Sequence, residues 1–281
     1  PIFMSAMNDN LRSALHQITT RALESDALSA RLQAAALDHE LRDRLEELET
    51  ILSDRELADA LEAASQKDSN VLTNEVRRFE NGATPPPPHW LQLLDAAWER
   101  SKATNKTHDR GLDTSWFLND QDGIQIWRRP FSDVTLGKDF SYRDYFHGRG
   151  EDYEKDRIPE DLEDLAPLKQ AHVCNVYKST TTGRQTVALS VPVRNKVGEV
   201  VAVLSRSVHL GDLQERMGRL IQEPDADSVH RVIALVESRD KSRWRLLDHP
   251  YLTEDVVHAA EKNNTDGALL EKLSLDESTV K

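Results

Sequence analysis

The residues best suited to chemistry lie in one segment, Gly137-Lys138-Asp139-Phe140-Ser141-Tyr142-Arg143-Asp144-Tyr145-Phe146, where four aromatic side chains close around a single arginine. A guanidinium takes a carboxylate through two parallel hydrogen bonds. Aromatic rings add shape, apolar area and a cation–π face for a ligand amine. Together they suit a small anion or zwitterion. The same residues fit a plainer arrangement, with Arg143 ion-paired locally and the rings packed as core, and composition does not choose between the two.

Other chemistry is sparse. The chain has no Gly-x-x-x-x-Gly-Lys-Ser/Thr, no His-Glu-x-x-His and no Gly-x-Ser-x-Gly. Its histidines are scattered, with no ligand pair at helical spacing. Cys174 stands in Ala171-His172-Val173-Cys174-Asn175-Val176 and reads as a buried structural thiol, not a nucleophile. Asp120-Gln121-Asp122-Gly123 is tempting as a calcium loop. An EF-hand glycine is sixth, however, which would put Leu118 at the first ligand position, so a turn is expected instead. Between Arg149 and Ala166, eight acidic and three basic residues read as a solvated excursion. No cofactor, metal or catalytic group is expected.

The elements that must position this segment follow from periodicity. Apolar residues step by three and four over Met4, Met7, Leu11, Leu15, Ile18 and Ala22, then fall at Leu28 and Leu32 and again at Leu41, Leu45, Leu48 and Leu52, a helical stripe approaching a heptad seam. It fits either a long surface helix or a stalk paired with its own copy. Ser53-Asp54-Arg55-Glu56 has capping-box form and opens a new helix to about Ala64. A short helix over Val71–Phe79 follows, then the rigid elbow Pro85–Pro88, then a helix from His89 to about Lys102. From Trp116 the period becomes that of strands: Trp116–Leu118, a turn, and Ile124–Trp127. Tyr177–Thr182, Gln185–Val193 and Glu199–Val208 form a second strand-rich block, and Arg231–Glu237 with Arg243–Leu247 a further hairpin. The plan is α+β, helices first and an antiparallel sheet after.

The balance of 36 basic against 49 acidic residues gives a net charge of −13, which argues against nucleic acid as a partner. One cysteine excludes an internal disulfide framework and multi-cysteine metal sites. No run approaches the ~18 apolar residues of a membrane span. The opening Pro1-Ile2-Phe3-Met4 and the polar stretch up to Lys281 read as cut ends, with membrane spans expected beyond them.

The Arg143 segment resembles the signature of Cache domains, the PAS-like extracytoplasmic sensors of bacterial chemoreceptors and sensor kinases. The order of features is similar too: a long helix, strand-turn-strand, Gly-x-Asp-x-Ser-x-Arg-x-Tyr-Phe, a strand at Val176–Thr180, then Val191-Pro192-Val193-Arg194 and Gly198–Leu204. Arg245–Pro250 is similar to the opening of a second module in double-Cache proteins. The resemblance implies helical residues 1–82, a ligand-binding module over 83–237, and the start of a second module or an extension over 238–281. It implies a pocket formed by Arg143, Tyr145 and Phe146, with Tyr142, Trp116 and Tyr177 as further contacts. It also implies a membrane receptor's extracytoplasmic portion, homodimeric through the first helix, that closes on a small ligand and passes the shift along that helix. Amino-acid-binding members place a Tyr five residues before the arginine and an Asp near the last strand's end. Here those places hold Lys138 and the run Ser205-Arg206-Ser207, which favours a carboxylate-bearing ligand without an amine. The competing expectation is a structural module that dimerises through the long helix and binds nothing.

Overall fold

The computed structural model describes residues 2–82, 86–107, 113–153, 165–212, 235–240 and 243–248, with side chains between 12 and 212. Helix α1 runs Ile2–Leu52, with neither proline nor glycine to interrupt it. It is followed by α2 (Arg55–Ser65), α3 (Ser69–Glu80) and α4 (His89–Thr107). The break between α1 and α2 falls where the capping-box pattern puts it, but Asp54 is the cap, not Ser53. The Asp54 carboxylate accepts from the backbone N–H of Glu56 at 2.9 Å and of Leu57 at 3.4 Å. Ser53 instead donates its hydroxyl back to the Thr50 carbonyl.

Residues Pro1–Arg42 and Asp43–Lys281 are two compact units. In the first, Leu15, Ile18, Leu23, Leu28 and Leu32 of α1 are all exposed. The second holds the sheet. Its strands are β1 (Ser115–Asp120), β2 (Gln125–Arg129), β3 (His172–Val173), β4 (Tyr177–Lys178), β5 (Gln185–Arg194) and β6 (Val200–His209). The order is β2-β1-β6-β5-β3, with β4 also on β5, and every pairing is antiparallel. Pro192 is tolerated in β5 because it lies beyond the two residues that β3 pairs, Leu189 and Ser190. A four-residue helix, α5 (Asp144–His147), lies between β2 and β3, and a separate hairpin joins β7 (Leu235–Asp240) to β8 (Arg243–Asp248). The α+β plan expected from the sequence is the plan observed.

One face of the sheet carries the main core. Leu48 of α1, Leu57 and Leu61 of α2, Leu72 and Val76 of α3, and Leu91 and Leu94 of α4 pack with Trp116, Leu118, Trp127 and Leu204. Burying side chains of this size is worth about 1.5–3 kcal/mol each. Buried among them is an ionic cluster. Asp113 accepts from the guanidinium of Arg44, from Arg206 Nη2 at 2.5 Å and from Trp116 Nε1 at 2.7 Å. Arg206 Nη1 also donates to Glu47 at 2.6 Å and to the Arg44 carbonyl at 3.1 Å. The Arg206 guanidinium lies 5.1 Å from the Trp116 ring centre. This cluster fixes the end of α1 to β1 and β6.

Candidate functional site

The segment from Gly137 to Phe140 is zipped along the β1–β2 hairpin. Gly137 N–H donates to the Gln125 carbonyl, Gln125 N–H to Lys138, and Phe140 N–H to Gly123, at 2.7, 3.0 and 2.9 Å. Gly123 serves twice, with a positive φ of 82° at the turn and no Cβ. A Cβ built there would stand 2.6 Å from the Ser141 backbone. Beyond it, Arg143 caps α5, whose first residue, Asp144, is fully enclosed. The Asp144 carboxylate accepts from the N–H of Gly150 at 2.6 Å and of Asn175 at 2.8 Å, and sits 3.1 Å from His172 Nε2. Burial opposes its charge, but these donors overcome it and hold the carboxyl below the usual range. Asp144 is a pin for the loop.

Arg143 Nη1 donates to Asp152 at 2.5 Å, and its guanidinium lies between the rings of Tyr142 and Tyr177, 5.1 and 5.3 Å from their centres. Burial works against its charge, and Asp152 more than restores it. The second Asp152 oxygen accepts the Asp144 N–H at 2.9 Å, so the end of the acidic excursion that is described braces the Arg143 segment. Residues 154–164 of that excursion lie outside the described residues.

Arg143, Tyr145 and Tyr177 line one cavity of about 20 Å³, along with Phe117 and Ser115 of β1, Gln125 and Arg128 of β2, Thr135, Phe140, Ser207 of β6 and the turn Ser179–Thr181. The Tyr145 ring meets Phe117 edge-on at 5.0 Å and Tyr177 at 5.5 Å. Burial pushes both phenols far up, so both are neutral. Among the described residues no aspartate or glutamate is in the lining.

The other expected contacts lie elsewhere. Trp116 points to the opposite face of β1, edge-on to Trp98 at 5.7 Å and hydrogen-bonded to Asp113. Its neighbour Phe117 takes the place in the cavity, because successive strand residues face opposite ways. Phe146 is wholly buried and outside the lining. Tyr142 stacks on Arg143 without reaching the cavity.

Arg128, which the sequence did not single out, also borders the cavity. It is 9% exposed, opposite Phe117 in register, and no carboxylate pairs with it among the described residues. Burial draws its pKa down. The signal was the doublet Arg128-Arg129 on one strand. Arg129 meets Asp95 through Nε at 2.6 Å and Nη2 at 2.5 Å, and Glu80 at 2.6 Å, so its neighbour had to face the other side.

A larger cavity of about 340 Å³ is lined by Trp98, Lys102, Asn105, Asp113 and Arg129. Its arginine is already doubly paired. Among the described residues no cluster of His, Cys, Asp and Glu would hold a metal, and no helix is long and apolar enough to cross a membrane.

Solved structures this chain is similar to include ligand-binding and sensor domains. The ligand-binding domain of the Pseudomonas aeruginosa amino acid chemoreceptor PctC, in complex with GABA, is 17% identical with a TM-score of 0.43, covering 79% of this chain and 72% of that one. The ligand-binding domain of the Pseudomonas fluorescens chemoreceptor CtaA, in complex with L-serine, is 16% identical with a TM-score of 0.35 and 73% of each chain covered. The sensor domain of the V. cholerae histidine kinase DctB is 15% identical with a TM-score of 0.30, covering 62% of this chain and 59% of that one. No family model and no curated protein matches the chain. Likeness at this level assigns neither ligand nor partner.

Proposed function

We propose that this chain is the extracytoplasmic ligand-sensing region of a transmembrane signalling protein, and that it binds a small carboxylate-bearing molecule between the sheet and the Arg143 segment. The output domain would be a histidine or serine/threonine kinase, a chemoreceptor tail or a cyclase. The sensing module is residues 83–237, with helical residues 1–82 before it and the start of a further module after it. The observation that carries the reading is the cavity itself, in which Arg143 sits beside Tyr145, Tyr177, Phe117 and Phe140 with no acidic side chain in the lining. Asp152 engages Arg143 through Nη1, and its Nε is buried without a partner among the described residues, which leaves one edge of the guanidinium for a carboxylate. The exposed Leu15, Ile18, Leu28 and Leu32 support pairing of two copies through the first helix.

A second reading, a module that binds nothing and only dimerises, is favoured by the Asp152 pair, which gives Arg143 an internal counterion. A thermal-shift screen against small carboxylates, amino acids, amines and sugars separates the two. A ligand at a hundred times its dissociation constant adds about 2.7 kcal/mol. A carboxylate that raises Tm in the wild type but not in Arg143→Ala is the expected result. A shift that survives Arg143→Ala would put the site elsewhere.

A further inference from the structure

Four buried polar atoms around the same small cavity have no hydrogen-bond partner among the described residues: Gln125 Oε1, Arg128 Nε, Thr135 Oγ1 and Arg143 Nε. Buried polar groups are nearly always paired, and here four unpartnered atoms converge on one space of about 20 Å³. Their types are informative. Two are cationic donors and call for an anion. One is an amide oxygen and calls for a donor. One is a hydroxyl that can do either, and Ser115, Ser179, Thr181 and Ser207 add more hydroxyls around them.

Arg128 is the unusual member. Removing a guanidinium from water costs several kcal/mol unless a counterion comes with it, and every other buried arginine of the core has one. Arg44 and Arg206 share Asp113, and Arg129 has Asp95 and Glu80. Arg128 faces the neutral phenols of Tyr145 and Tyr177 instead. A folded chain gains nothing from this arrangement, whereas an anionic ligand gains a desolvated charge-assisted partner. A ligand ammonium, by contrast, would meet two guanidiniums and no carboxylate.

We infer that Arg128 is the residue that receives the ligand's carboxylate, with Arg143 beside it, and that the ligand is a small hydroxy acid carrying no amine. The inference rests on the sensor reading above and deepens it. The ligand hydroxyl supplies the donor that Gln125 Oε1 lacks. The cavity is too small for any organic acid as it stands, so admission displaces its outer wall, the exposed turn Ser179–Arg184, which is held by the Ser179 N–H to Arg184 carbonyl bond of 3.0 Å.

Two measurements on the whole chain test this. Thermal denaturation without ligand compares wild type, Arg128→Met and Arg128→Gln. A residue kept for a ligand costs the empty fold nothing to lose, so Arg128→Met is expected to melt within about 2 °C of wild type or above it. A clear fall in both variants makes Arg128 structural and overturns the inference. Calorimetric titration then compares glycolate, lactate and malate with their amine-bearing counterparts glycine, alanine and aspartate. The hydroxy acids are expected to bind at least about tenfold more tightly than the amino acids, and to lose about tenfold or more in Arg128→Gln. Equal binding of the amino acids overturns the ligand class, as does silence of all six compounds on the wild type. Binding that survives Arg128→Gln but not Arg143→Ala overturns the role of Arg128 and leaves the sensor reading standing.

Discussion

Replacing Asp113 by alanine removes the one carboxylate shared by two enclosed guanidiniums. The side chains of Arg44 and Arg206 are 0% exposed and that of Asp113 is 1% exposed, while Glu47, which also pairs with Arg206, is 25% exposed. With Asp113 gone, Arg44 keeps its charge inside the core without that counterion, and Trp116 Nε1 loses its acceptor. Breaking a buried pair from one side costs about 3–5 kcal/mol, and orphaning a buried N–H about 1–3. The two overlap at one site, so the expected loss is about 4 kcal/mol. Arg206→Met is the control. It leaves Asp113 with Arg44 and Trp116, frees a partly hydrated Glu47, and lays a thioether against the Trp116 ring where the guanidinium was. Its expected cost is about 1–2 kcal/mol. Urea unfolding followed by circular dichroism at pH 7 and 25 °C reads both from the midpoint and slope. An Asp113→Ala loss below about 1 kcal/mol, or an Arg206→Met loss equal to it, would refute the assignment of Asp113 as the hub.

Gly123→Ala forces a Cβ into a left-handed backbone and against Ser141, and is expected to destabilise the fold by about 2–4 kcal/mol, measured in the same urea series. Cys174 is buried and its thiol is pushed far up by that burial, so it is expected to resist Ellman's reagent until the protein is unfolded; rapid native labelling would contradict this. His147 is a neutral ring, accepting the Arg149 N–H at Nδ1 and donating from Nε2 to the Tyr142 carbonyl, and burial lowers its pKa; burial does the same to His209. The unfolded chain therefore takes up these protons first. The stability is full above about pH 6.5 and falls as the pH drops below it. Melting at pH 5.5 is expected below melting at pH 7.5, with a flatter profile in His147→Gln/His209→Gln; an unchanged slope would remove the two histidines from the account.

The strong periodicities were legible. The helical stripe ending at Leu52, the restart after it, and the strands around Trp116 and Trp127 all follow from spacing alone, because a 3.6-residue or a 2-residue repeat is a local property. What was not legible was which face each residue takes once a sheet has two covered sides. Trp116 reads as a ligand contact by its type, yet it lies on the helix face with Trp98, and the less conspicuous Phe117 borders the cavity. Phe146 satisfies a motif and is spent on packing. Arg128 carries no pattern of its own. It becomes visible only when the long-range partners of Arg129, Asp95 on α4 and Glu80 on α3, are known. Asp152 was one carboxylate among many until its pairing with Arg143 was seen.

The alternation along β1 and β6 also sets the thickness of the wall between cavity and helices. Ser115, Phe117 and Ser207 border the cavity, and the residues beside them, Trp116 and Arg206, belong to the cluster that grips the end of α1. Neighbouring Cα atoms are about 3.8 Å apart. The partition is thus one backbone deep, and Arg206 and Ser207 are joined by a single peptide bond. Any twist of β6 at Ser207 would carry Arg206, which bonds Glu47 and the Arg44 carbonyl, with it. The cavity side and the helix side of β6 are thus coupled through the strand's own backbone, with no chain of intervening side chains between them.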